Sequence, residues 1–86
     1  MAKCNFDIAY EHEVHEAKKI ITEEITENNG EIRINDNSGE FTITVPGGEI
    51  TGNVTFKNNA LSISITDKPT LIPCNIIESV IQSYLE

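Results

Sequence analysis

The chain has no tryptophan, few basic side chains and only two cysteines. Six Lys and Arg stand against 14 Asp and Glu, leaving a formal net charge of −8. That balance excludes the basic footprint on which nucleic-acid binding depends. It equally excludes charge-driven docking on anionic lipid. The acidity reads as a device for solubility rather than an acidic docking surface. No apolar run approaches the ~18 residues of a transmembrane helix, so an integral membrane protein is not expected. Asp7, Glu11, Glu13 and Glu16 fall in the first stretch, which argues against a secretory signal and for a cytoplasmic protein. In that reducing setting Cys4 and Cys74, far apart in the chain, are expected as free thiols. Neither lies in a CxxC motif or beside a general base. The five glycines are scattered among turns and build no phosphate loop. No Ser, Cys or Lys nucleophile stands beside a base, so no catalytic residue and no cofactor are expected.

What is present is a clear folding pattern. With 86 residues there is length for one domain, 1–86, and one core. The stretch Glu49–Thr66, EITGNVTFKNNALSISIT, organises it. Two alternating runs flank Asn58-Asn59, a pair that tolerates the positive φ of a tight hairpin loop. Folded there, Lys57 faces Ala60, Phe56 meets Leu61, Val54 meets Ile63 and Gly52 meets Ile65. All the apolar members fall on one face, while Thr51, Asn53, Thr55, Ser62, Ser64 and Thr66 fall on the other. A slip of one residue would turn a strand's apolar set into water, so this register is strongly specified. The Thr/Ser face reads as solvated β-surface.

Around this ribbon the remaining elements follow in order. KCNFDIAY, residues 3–10, alternates with Cys4, Phe6, Ile8 and Tyr10 on one side, a half-buried strand. A helix is predicted over about His12–Asn28, with Val14, Ala17, Ile21 and Ile25 on one stripe and Ile20 at its flank. Glu11, Glu13 and Glu16 complement the dipole at its start, and Asn28-Asn29-Gly30 stops it. EIRIN (31–35) and EFTITV (40–45) are further strands, separated by the turn cluster Asp36–Gly39. Pro46-Gly47-Gly48 is the next turn. A second helix is predicted from near Pro73 to about Leu85, with Ile76, Ile77, Val80, Ile81, Tyr84 and Leu85 as a wide apolar face. The order β-α-β-β-β-β-α predicts an α+β fold in two layers, a curved antiparallel sheet packed on two helices. It is a shortened, helix-grip-like arrangement, and that analogy carries no function with it. The first strand must pair at a sheet edge or reach across the sheet.

Three places invite a functional reading. His12, His15 and Glu16 could share a helix face and hold a metal, although the histidines are three apart rather than the four of the zincin motif. Two surface histidines at an acidic helix start are the plainer explanation. Gly52, inward and opposite Ile65, marks either a bulge that bends the sheet or a gap open to a ligand. Leu71 and Ile72, at the entrance of the second helix, cannot easily both point inward. With Ile76 they are the candidate apolar contact, unless they serve as a helix staple.

The C-terminal half carries a resemblance. Gly48, Gly52-Asn53-Val54-Thr55-Phe56, Leu61-Ser62-Ile63-Ser64-Ile65, Pro69-Thr70-Leu71-Ile72-Pro73 and Ile77-Glu78 with Ile81 are similar to the pattern of the polyhydroxyalkanoic acid system family. Phe6-Asp7-Ile8, His12 and Ala17 resemble that family's first strand, histidine and helix alanine. The resemblance implies a small, cytoplasmic, non-enzymatic bacterial protein associated with storage-polyester granules. The implied partner is a granule surface, a hydrophobic ligand or a granule protein, met through an apolar surface, and no catalytic residue comes with it. A metal protein or small enzyme using His12, His15 and Glu16, and a ligand-free homodimer, are the alternatives.

Overall fold

The structure, a computed structural model, describes residues 3–85. Its elements are β1 (Cys4–Ala9), α1 (Val14–Glu27), β2 (Glu31–Asn35), β3 (Ser38–Val45), β4 (Gly48–Lys57), β5 (Ala60–Asp67) and α2 (Cys74–Tyr84). The sheet is antiparallel throughout, in the order β1-β5-β4-β3-β2. The architecture is the α+β arrangement that the alternation predicts. β1 takes an edge, beside β5, and β2 takes the other, so α1 carries the chain across one face from edge to edge. α1 packs over β2 and β4, α2 packs against β1, and the two helices touch.

The β4–β5 ribbon has the predicted register: Lys57 pairs with Ala60, Phe56 with Leu61, Val54 with Ile63 and Gly52 with Ile65. Of the two turn residues only Asn59 takes a positive φ, 66°. Val54, Phe56, Leu61, Ile63 and Ile65 are buried and join Ala17, Ile21, Ile25, Ile77 and Ile81 of the helices in one core. Among the described residues no polar or charged side chain is buried. Apart from the Cys4–Cys74 bond, the sheet therefore meets the helices through apolar side chains, by the non-directional attraction of apolar area withdrawn from water. On the opposite face, cross-strand bonds tie β5 to β1: Ser62 Oγ donates to Asp7 and Ser64 Oγ to Asn5, each at 2.7 Å.

Gly52 sits where the sheet bends. Thr51 pairs with Asp67 while Gly52 pairs with Ile65, so Thr66 is the extra residue of a bulge. A Cβ on Gly52 would stand 2.5 Å from the Ser64 carbonyl oxygen and 3.0 Å from the Phe41 ring. Phe41 lies directly opposite on β3 and fills the space. The position is a seat for an aromatic ring, and the alternative of a gap open to a ligand falls away.

α1 begins at Val14, two residues later than the periodicity suggests. Strand pairing outlasts β1, with the Tyr10 N–H donating to the Asn59 carbonyl at 3.1 Å, and the chain bends at His12 and is extended at Glu13 before it coils. At the far end Asn29 takes the left-handed conformation, φ 65°, and the Gly30 N–H caps the Ile25 carbonyl at 2.8 Å. Asn28 adds its side-chain amide to the Glu24 carbonyl at 2.7 Å.

The expectation of free thiols is corrected. Cys4 and Cys74 form a disulfide, with Cα atoms 5.8 Å apart and a sequence separation of 70. β1 at the sheet edge brings Cys4 beneath the first turn of α2, a proximity created by topology rather than by spacing in the chain. The bond closes nearly the whole chain into one loop, which in the chain-entropy view stabilises the fold by about 4 kcal/mol. Cys74→Ser should lower unfolding stability by about 2–4 kcal/mol in denaturant titrations under oxidising conditions. Equal midpoints for the two proteins would show that the bond does not form in solution.

Candidate functional site

The segment after β5 leaves the sheet between Pro69 and Pro73, and the Ile72 N–H donates to the Pro69 carbonyl at 3.1 Å. That turn points Ile72 toward the core and leaves Leu71 outside, 93% exposed. α2 follows at once, capped by Pro73, whose carbonyl accepts the first helical N–H. Ile77 and Ile81, four apart, are buried against the sheet. Ile76 and Val80, also four apart but rotated by one residue, remain 50% and 42% exposed. A helix whose apolar face is wider than its contact must leave one margin in water.

That margin borders a groove. Ile43, Val45, Pro46 and Ile50 of the β3–β4 ribbon make one wall, and Ile72, Ile76, Val80 and Ile81 the other, with Ile77 between them. Every lining residue is apolar, and the volume is about 210 Å³. Sites that engulf a small molecule usually reach ~300–1,000 Å³. The groove instead has the size and chemistry to take a short aliphatic segment. Of the three predicted contacts, Ile72 and Ile76 line it, while Leu71 projects beside it into water. The periodicity puts Val80 in the helix's wide apolar face without singling it out as a contact, and it does not foresee the wall formed by Val45 and Pro46. The spacing of Ile76 and Val80 was the available signal for the former.

The histidines are held apart. His12 Nε2 donates to the Leu85 carbonyl at 3.2 Å, and its Nδ1 lies 3.7 Å from Glu16. His15 turns instead to Glu13, 3.3 Å away. The ligand atoms that gather within 4.8 Å of one another are those of Glu13, His15 and Glu16, all exposed, so the expected trio of His12, His15 and Glu16 is not the one assembled. His12 ties the end of α2 to the approach to α1.

Two phenols, Tyr10 and Tyr84, are withdrawn from water. The Tyr10 hydroxyl donates to the Lys57 carbonyl. Burial pushes the Tyr10 pKa up. The Tyr84 pKa is raised by burial first and by the Glu24 carboxylate second. A phenol whose folded pKa exceeds its unfolded value favours the folded state fully below the unfolded value. That contribution is lost as pH rises past about 10 and through the raised folded value. Unfolding stability should therefore fall above about pH 10, and less steeply in Tyr84→Phe than in the natural chain. Denaturant midpoints taken on either side of that pH check this, and parallel losses in the two proteins would contradict it.

No family model matches the chain, and neither the curated proteins nor the solved structures compared with it give a match. Among the described residues no helix is long and apolar enough to cross a membrane.

Proposed function

We propose that this protein is a non-enzymatic binding domain that meets an apolar polyester surface through α2 and the segment before it. The observation that carries the reading is the all-apolar groove between α2 and the β3–β4 ribbon, with Leu71, Ile76 and Val80 exposed at its rim. Three large apolar side chains left in water so close together, beside a groove with no polar lining, favour contact with hydrocarbon. Leu71, almost fully exposed, contributes about 1.5–3 kcal/mol when withdrawn from water on contact, and the half-buried Ile76 and Val80 contribute less. A polyhydroxyalkanoate surface offers short alkyl groups of the size the groove admits. The net charge of −8 keeps the rest of the molecule in water. The resemblance to the polyhydroxyalkanoic acid system family, whose apolar segment corresponds to Pro69–Pro73, supports the same occupant.

A cytoplasmic setting, where such granules lie, is part of this proposal. Cytosolic thiols would act against the Cys4–Cys74 bond, of which Cys4 is buried and Cys74 only partly so. Metal capture by Glu13, His15 and Glu16 is less favoured. All three are exposed, and His15 pairs with Glu13, itself one of the three.

The purified protein should sediment with polyhydroxybutyrate particles, and Leu71→Glu combined with Ile76→Glu should reduce retention about tenfold or more. Both replaced residues are exposed, so the variant should keep its fold by circular dichroism. Equal retention of the variant and the natural chain would remove the groove from the interaction.

A further inference from the structure

We propose that β2 is a self-association edge, and that two copies pair their β2 strands antiparallel about a two-fold axis at Ile32. The two five-stranded sheets then run on as one. The proposal shares no residue with the apolar groove and stands independently of it.

The sheet has two edges, β1 and β2. β1 lies against α2, with Cys4 bonded to Cys74, and its one charged side chain, Asp7, already accepts the Ser62 hydroxyl and is not free to pair with a second copy. β2 is short and carries the exposed charges Glu31 and Arg33, but nothing else guards its edge. It contains no proline, no lysine and no bulge, and its five residues pair regularly with β3.

The backbone direction of β2 follows from one bond. The Phe56 N–H donates to the Asn37 carbonyl at 2.6 Å. That bond flanks the Ser38–Thr55 pair and marks it as a non-hydrogen-bonded pair of the β3–β4 ladder. Ser38 therefore turns its N–H and C=O toward β2, where it pairs with Asn35 across a two-residue turn. By alternation Arg33 and Glu31 also bond inward to β3. Ile32 and Ile34 are left with N–H and C=O pointing out of the edge.

Symmetric antiparallel pairing must match these outward residues with each other, and charge then selects the register. An axis at Arg33 sets the two guanidiniums face to face. An axis at Ile34 leaves both Arg33 and Glu31 opposite uncharged residues. An axis at Ile32 sets Glu31 of each copy opposite Arg33 of the other, twice, at non-hydrogen-bonded positions. There the Cα atoms approach to about 4.5 Å and the side chains lie closest. Both residues are exposed, and Arg33 takes part in none of the ion pairs among the described residues. On the other face Ile32, Ile34 and Ile20 form a partly buried apolar margin, which the same margin of a second copy covers.

Sedimentation equilibrium in physiological salt tests this. The natural chain should move from 9.5 kDa toward twice that mass as concentration rises. Glu31→Arg and Arg33→Glu, each alone, set like charges opposite one another and should each weaken self-association about tenfold or more. Mixed together, the two variants regain both complementary pairs and should associate with each other as the natural chain does with itself. Should either single variant fail to fold, the double variant Glu31→Arg/Arg33→Glu carries the same pairs with reversed polarity and should dimerise like the natural chain. A natural chain that stays monomeric overturns the proposal. So do single variants that dimerise normally, or folded variants, mixed or double, that fail to associate.

Discussion

The fold depends on the closure of one apolar sheet face, and at its centre Phe41 lies across the bare backbone of Gly52. β4 is the middle strand, so any side chain at position 52 would press at once on the Phe41 ring of β3 and the Ser64 carbonyl of β5. The bulge at Thr66 adjoins the same point, and its added twist bends the ribbon over the helices. Apolar side chains and the Cys4–Cys74 bond fill the space between the layers. The fold is thereby specified by shape and alternation rather than by buried polar bonds, and the polar groups that do organise it lie at the margins. They are the Ser–Asn and Ser–Asp rungs, the Tyr10 and His12 ties, and the asparagines that end α1.

The margins are also where the molecule has something to offer. α2 contacts the sheet through Ile77 and Ile81, and its wider apolar face leaves Ile76 and Val80 over the groove. The wall opposite comes from the β3–β4 ribbon and its Pro46 turn. The disulfide anchors the start of the same helix to β1, so the approach to the groove is held at its base. A binding role for this surface and self-association at β2 would use different elements and leave each other free.

Much of this was legible in the residues. Strict alternation about Asn58-Asn59 fixes which side chains pair, because a strand has only two faces and water accepts only one of them. The same reasoning reached the Gly52 bulge and the order of the elements. What it missed depends on distance in space. Cys4 and Cys74 stand 70 residues apart, and only the edge position of β1 brings them together. The seat for Phe41 needs the β3–β4 register as well as the glycine. His12 was counted with the helix because nothing local says that its ring is drawn to Leu85, 73 residues on. The groove was half visible: Leu71, Ile72 and Ile76 were candidates from the chain, but a groove needs a second wall, and Val45 and Pro46 belong to a different hairpin.

Nuclear magnetic resonance tests the central packing directly. Strong Overhauser contacts should join the Phe41 ring to the Gly52 α-protons, and those protons should be displaced by the ring current. Gly52 α-protons at ordinary shifts, with no contact to an aromatic ring, would contradict the closed sheet face on which the rest of the structure is built.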